Sequence, residues 1–295
     1  MIWKYERLLS TGTRCFEPQT TNTALSAHYL NQIDYVLGHI ATARLLGIER
    51  TMSLKRIGTA GWSIPKKYAK EFSAKETHLE RYSRILSCAE INSTFYRSHR
   101  ISTYKKWAES VPESFRFSVK APKTITHEAN LICGPDPLKY FLAEVNNLGT
   151  SLGPILFQLP PKAAFNSTVA EAFFNLLREQ HSGPAVLEPR HPSWFTSQAT
   201  HLMKKFYIAR VAADPAITPV ASAAAGWDQL LYCRLHGSPH MYYSSYPESY
   251  LQTLAMTLAR QQAKEIWCIF DNTASGAAFG NAQTLAGLAN DATNH

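Results

Sequence analysis

Pro184-Ala-Val-Leu-Glu-Pro-Arg-His-Pro-Ser-Trp194 is a short apolar run that ends abruptly in charge. Ala185 to Leu187 give way to Glu188, Arg190 and His191, with Trp194 just beyond. An apolar run of this length bounded by prolines predicts a buried strand. A buried strand that ends in an acid, a guanidinium and an imidazole delivers polar chemistry to one edge of a sheet.

The pattern recurs on both sides. Strands are predicted over 56–61, 87–92, 115–120, 154–159, 207–213, 229–235 and 265–270, and helices over 75–86, 103–109, 138–148, 169–180, 197–205, 248–262 and 281–290. Alternating strand and helix implies a parallel sheet. Eight such units in about 240 residues predict an α/β fold, a closed (β/α)8 TIM-type barrel. A doubly wound open sheet is the alternative, but Gly58-Thr-Ala-Gly61 does not match its G-x-G-x-x-G turn. No P-loop and no G-x-S-x-G nucleophile motif occurs.

Strand side chains alternate with period two, so parity assigns each residue to a face. One face carries Cys88, Glu90 and Asn92; Arg116, Ser118 and Lys120; Leu156 and Gln158; Val186, Glu188 and Arg190; Arg210, Ala212 and Asp214; Tyr232, Arg234 and His236; Trp267, Ile269 and Asp271. The other face is mainly apolar: Ile91, Phe117, Val119, Phe157, Leu159, Leu187, Val211, Cys233, Leu235, Cys268 and Phe270. Apolar outer faces meet the helices, and polar inner residues near the strand C-termini line the mouth where active sites of this fold sit. Each polar residue also has a plain structural reading: Arg116 and Arg210 as deep ion-pair partners, Asp214 and Asp271 as helix caps. Seven strands converging on one mouth favour a functional site.

These residues carry a resemblance. Gly58-Thr-Ala-Gly-Trp62, Ala89-Glu-Ile-Asn-Ser-Thr-Phe-Tyr96, Phe115-Arg-Phe-Ser-Val-Lys120, Ile125-Thr-His127, Leu152-Gly-Pro-Ile-Leu-Phe-Gln-Leu-Pro160, Glu188-Pro-Arg-His-Pro-Ser-Trp194, Arg234-Leu-His-Gly237 and Phe270-Asp-Asn-Thr273 resemble the YecE-like family, catalogued as domain of unknown function 72. The resemblance runs from about Arg56 to Leu288 and implies a TIM-barrel-like fold. It implies no reaction. The family's usual Glu-Phe-Arg-His reads Glu188-Pro-Arg-His191 here, which removes one backbone donor from the strand end.

The mouth residues suit a small anionic or polyhydroxylated metabolite. Lys120, Arg190 and Arg234 are cations for a phosphate or carboxylate. Glu188 and Glu90 are candidate general acids or bases, on the expectation that apolar walls and neighbouring carboxylates raise a carboxyl pKa. His191, His236 and Asp271 complete the catalytic candidates. Asn92, Gln158, Asp214 and Asn272 are substrate-binding candidates, and Tyr96, Trp194 and Tyr243, with Trp62 and Tyr246, are candidate walls or lid. The expected chemistry is that of a hydrolase, lyase or isomerase. On this reading Glu188→Gln and Arg190→Ala leave folding intact and abolish binding.

No cofactor or metal is expected. Glu90, Glu188, His191, Asp214, His236 and Asp271 offer ligands for a divalent ion, but they form no compact motif, and Arg190 and Arg234 compete for the carboxylates. A net charge of +8 and the Tyr242-Tyr243-Ser-Ser-Tyr246 run leave a basic nucleic-acid-binding module as the alternative. The positive charge is scattered and no nucleic-acid motif appears, so a small molecule is the favoured partner.

Of the 295 residues, 45% are hydrophobic, enough to bury a full core, and no run of about 18 apolar residues predicts a membrane span. Five cysteines without a C-x-x-C pair suit a reducing, cytoplasmic setting. Residues 1–54 form an N-terminal extension ahead of one barrel domain over 55–290. A helix is expected over 23–48, either packed on the barrel or part of an upstream in-frame extension, since Met52 makes a natural start. Glu6, Glu17, Asp34 and Glu49 argue against a mitochondrial presequence.

Overall fold

Parallel strands form at each of the expected apolar runs, and the computed structural model sets them side by side in chain order. It describes residues 53–71 and 76–291, so the helix expected over 23–48 lies outside the described residues. The strands are β1 (Leu54–Ala60), β2 (Cys88–Ile91), β3 (Arg116–Lys120), β4 (Leu152–Gln158), β5 (Ala185–Glu188), β6 (Ile208–Arg210), β7 (Ala212–Asp214), β8 (Ala225–Gly226), β9 (Leu230–Leu235) and β10 (Glu265–Phe270). All pair in parallel except β8, a two-residue addition antiparallel to β6.

The sixth expected strand is interrupted, and the interruption closes the ring. Its first half, β6, pairs with β5, from Ala185↔Ile208 to Leu187↔Arg210. Its second half, β7, pairs with β9, from Ala212↔Cys233 to Asp214↔Leu235. Val211 stands at the change of partner, its N–H donating to Leu187 O at 2.9 Å. One segment thus joins the last strands to the fifth, and the eight expected strands form a TIM-type barrel.

Helices α1 (His78–Ser83), α2 (Ile101–Glu109), α3 (Pro135–Val145), α4 (Ser167–Gln180), α5 (Ser197–Lys205), α6 (Glu248–Ala259) and α7 (Ala277–Asp291) surround it. Their starts are set by caps. Thr77 and Glu80 form a reciprocal capping box, while Asn166 and Thr196 accept from the backbone N–H groups of Val169 and Ala199. These caps explain why α4 begins two residues before its apolar periodicity does.

The two faces separate as parity requires. The outward core between strands and helices includes Ile91, Phe117, Val119, Phe157, Leu187, Leu235 and Phe270. The inner cluster is Cys88, Leu156, Val186, Ala209, Val211, Leu230, Tyr232, Trp267 and Ile269. The sixth strand overturns its expected parity. Val211 faces in; Arg210 faces out, over the Phe195 ring at 4.9 Å and towards Thr200 and the carbonyls of Val220 and Ala223. The acid of Asp214 suggested the wrong face, because an outward carboxylate can be held by tyrosines as well as by a mouth.

Trp267 fills the barrel interior below the mouth. It stacks on Tyr232 with ring centroids 5.9 Å apart and lies under the Arg56 guanidinium at 5.7 Å. Two close approaches in the barrel wall occur where a side chain is absent. A Cβ on Gly153 would lie 2.6 Å from the Trp267 ring, and one on Gly58 would lie 1.9 Å from the Cys88 carbonyl oxygen. That oxygen is backbone and cannot swing aside as a flexible side-chain end would. Gly58→Ala is therefore expected to destabilise the fold by about 2 kcal/mol or more through overpacking between β1 and β2. Urea unfolding checks this; an unchanged midpoint would show that the two strands part freely. No helix among the described residues is long and apolar enough to cross a membrane.

Candidate functional site

The C-terminal strand ends bring five elements onto one buried ion network. Arg234 of β9 is its centre and is 1% exposed. It grips Glu90 of β2 with two bonds, Nε to Oε2 at 3.0 Å and Nη2 to Oε1 at 2.6 Å. Nη1 donates to Glu188 Oε2 of β5 at 2.7 Å, and Nη2 donates to Asp271 Oδ2 just beyond β10 at 3.0 Å. Below it, the Tyr232 hydroxyl lies 2.8 Å from Glu90 Oε2 and 2.7 Å from Ser118 Oγ of β3. A phenol has one proton, so Tyr232 donates to the carboxylate and accepts from the serine.

His236, two residues past Arg234, sits between two acids. Its Nδ1 is 3.1 Å from Asp271 Oδ2 and its Nε2 is 2.9 Å from Glu188 Oε1. Arg190 Nη2 reaches the same corner, 2.5 Å from Glu188 Oε1 and 2.7 Å from His236 Nε2. Guanidinium has no acceptor, so a hydrogen bond from Arg190 requires the Nε2 lone pair. The same nitrogen cannot then donate to Glu188. The three carboxylates of Glu90, Glu188 and Asp271 balance Lys120, Arg190 and Arg234 when the imidazole is neutral. The consistent arrangement is Nδ1–H towards Asp271 and Nε2 facing Arg190.

Burial alone would raise Glu188, but Arg234 and Arg190 outweigh it and hold its carboxyl well below the usual range. The expected raised glutamate is thus corrected: two guanidiniums keep Glu188 ionised, so it is no proton donor at neutral pH. Asp271 is lowered in the same way; burial opposes, and Arg234 and the His236 hydrogen bond prevail. The Lys120 ammonium is lowered by burial first and Arg234 second, against the pull of Glu90, Glu188 and Asp271. Its Nζ makes no ion pair among the described residues and lies 4.2 Å from the centroid of the Phe95 ring.

The remaining candidates divide. Gln158 ends β4 half-buried, in register with Glu188, and its side-chain amide makes no hydrogen bond among the described residues. Asn92 ends β2 with its Oδ1 buried and unpartnered, as is Nε of Arg190. His191 is used locally: its Nδ1 accepts from the Ser193 N–H and hydroxyl, capping the Pro192–Trp194 turn. Trp194 is buried and donates to Ala163 O, tying this turn to the loop after β4. Asp214 accepts from the Tyr246 and Tyr250 hydroxyls beside α6, away from the ion network. Asn272 is buried and donates to Ser244 O and Asn281 Oδ1, pinning the loop after β9. Tyr96 and Tyr243 are exposed, and Trp62 packs on Trp107 and Phe117.

Sequence reasoning missed three contributors. Ser118 and Tyr232 carried the right parity, but a serine and a tyrosine amid apolar residues gave no sign of joining an acid. Tyr242, not Tyr243, covers the network: its ring stands edge-on to His236 at 5.9 Å and its N–H donates to His236 O. The signal was hidden in the backbone, since Tyr242 adopts a left-handed φ of 70°, rare for a residue with a Cβ. Among the described residues, no three His, Cys, Asp or Glu side chains are grouped to hold a metal ion. The acids that could do so are engaged by Arg234 and Arg190.

A parallel eight-stranded barrel with a charged mouth defines a TIM-barrel protein with its candidate site in the usual place for that fold. Residues 56–295 match the profile of the family described as protein of unknown function DUF72, and the chain belongs to that family. The YecE protein of Escherichia coli K12 is 33% identical over 143 residues, so the chain matches about half of that relative's length (49%) and 47% of its own. YunF of Bacillus subtilis is 25% identical over 265 residues, covering 79% of this chain and 93% of that protein. A DUF72 protein of Enterococcus faecalis has the same fold, with a TM-score of 0.69 at 22% identity over 80% of this chain and 96% of its own. One from Thermotoga maritima gives 0.66 at 22% identity over 80% and 98%.

Proposed function

We propose that the barrel mouth binds a small anionic, polyhydroxylated metabolite and moves a proton on it, as a hydrolase, lyase or isomerase would. The observation that carries this reading is a row of donors left over beside a saturated network. Lys120 and Gln158 end β3 and β4 and Arg190 lies just beyond β5, three neighbouring strands, and they offer an ammonium without an ion pair, a free amide and an unpartnered Nε–H among the described residues. The Arg190 Nε–H is buried without a partner, which is costly, and an anion is a partner that would satisfy all three donors. His236 is the proton carrier. Asp271 fixes its Nδ1–H, and departure of Arg190 towards a bound anion would free the Nε2 lone pair as a base. Glu188 remains ionised and steadies the imidazolium so formed. The unlinked Cys233 and Cys268, hydrogen-bonded partners in register across β9 and β10, favour a reducing compartment such as the cytoplasm.

Lys120→Met tests the anion site. The lysine makes no ion pair with the described residues, so the variant is expected to melt at the wild-type temperature. Its affinity for ribose 5-phosphate, measured by calorimetry, should fall about tenfold or more, as expected for loss of one charge-assisted bond. Equal binding by variant and wild type would remove the anion from the mouth.

A further inference from the structure

Beside the mouth, the loops after β2 and β3 with helices α2 and α3 line a half-open hollow of about 260 Å³. It falls just below the roughly 300–1,000 Å³ of sites that hold a drug-sized molecule, so it suits one ring-sized fragment. Its walls include Phe95, Tyr96, Tyr140 and Phe141, with Tyr104 and Glu144 among its polar lining. Tyr96 is 75% exposed and Tyr140 66% exposed, unusual for two large rings edging one hollow.

Tyr104 supplies the second observation. Its ring is wholly buried against Trp107 and His99, at centroid distances of 5.5 and 5.9 Å, yet its hydroxyl has no hydrogen-bond partner among the described residues. Buried hydroxyls are nearly always satisfied, and an orphan that lines a cavity points to a ligand. Burial, with Glu144 second, pushes the phenol up, so it keeps its proton and can donate. Glu144 accepts from Ser98 Oγ through Oε1 at 2.5 Å, and its other oxygen makes no hydrogen bond to the described residues. A donor and a carboxylate acceptor lining one hollow can complement an amide edge: the carbonyl would accept from Tyr104 and the ring N–H donate to Glu144. Aromatic walls around such a pair fit a flat nitrogen heterocycle.

The cavity is one ring away from the anion site. Phe95 forms part of its wall and also lies against Lys120 Nζ, and Thr94 Oγ1 donates to the Lys120 carbonyl at 2.7 Å. We propose that this cavity holds the base of a nucleoside 5′-monophosphate with a lactam edge, whose phosphate sits at Lys120 and Arg190. This rests on the anion reading of the mouth and names its ligand class. The sugar spans the Phe95 ridge between the two pockets.

Calorimetry on the full chain with three probes tests it: uridine 5′-monophosphate, ribose 5-phosphate and uridine. The nucleotide is expected to bind at least tenfold more tightly than ribose 5-phosphate. Tyr104→Phe removes only an unpartnered oxygen, so the fold should stand; nucleotide affinity should fall about tenfold while ribose 5-phosphate affinity holds. Glu144→Ala should give the same split. If ribose 5-phosphate binds and the nucleotide binds no tighter, the cavity proposal is overturned and the mouth reading survives. The cavity proposal also falls if Tyr104→Phe weakens both probes alike or weakens neither. If uridine binds and ribose 5-phosphate does not, the mouth reading fails, and with it the joined ligand.

Discussion

Arg234→Ala is expected to lower the unfolding free energy by about 3–5 kcal/mol, the range found when one partner of a buried ion pair is removed. The guanidinium satisfies Glu90 twice, Glu188 once and Asp271 once, and all three acids are buried. Without it, Glu90 keeps only Tyr232, and Glu188 keeps only Arg190. Lysine should not rescue the site, because one ammonium cannot reproduce a planar fork that reaches three carboxylates. Urea unfolding followed by circular dichroism measures the loss. A loss under about 1 kcal/mol would mean that water enters the mouth freely and that the pairs act as surface bridges. The same burial revises the expectation for Glu188→Gln: it replaces an acid bonded to two guanidiniums, so it should cost stability as well as binding.

Acid should weaken the fold through the same groups. Glu188 and Asp271 both have folded-state pKa values below their ordinary ones, so the unfolded chain binds protons more readily than the folded chain. Their stabilisation is therefore complete above the unfolded carboxylate range near pH 4–5 and is lost as pH falls below it, through the folded values. A salt-bridged carboxylate contributes about 2–3 kcal/mol over such a range. Lys120, whose pKa is lowered by burial, stays protonated across this window in both states and adds no slope. Unfolding midpoints at pH 7, 5 and 3 should fall steeply only in the last interval, and Glu188→Gln should flatten that fall. Equal midpoints at pH 7 and pH 3 would place both acids in water.

Parity was the most informative feature of the sequence, and it worked where a strand was continuous. Glu90, Glu188, Arg234 and Asp271 meet because each occupies the inward phase of its strand or the residue just beyond it, and a period of two carries that phase faithfully over strands of four to six residues. It failed at Asp214, where the chain changes partners and two tyrosines beyond the expected strand claim the carboxylate. The loop residues were least legible. His191, Trp194 and Asn272 have the chemistry of ligand contacts, but a cap, a packed indole and a loop tether use the same chemistry, and only tertiary geometry separates them. The direction of the Glu188 shift was hidden for a related reason. Sequence supplied the acid and both arginines, but not which of burial or pairing prevails.

The interruption at Val211 gives the charges a mechanical meaning. A barrel built from one chain is a belt, and here the buckle is a three-residue run on each side of a single residue, β6 holding β5 and β7 holding β9. Between β1 and β10, by contrast, six residue pairs are in register. Glu188 rises from one side of the buckle, Arg234 and His236 from the other. Two bonds cross it directly, Arg234 to Glu188 and Arg190 to His236, each at 2.7 Å. The groups best placed for chemistry are therefore also stitches that keep the hoop shut where its backbone changes partners.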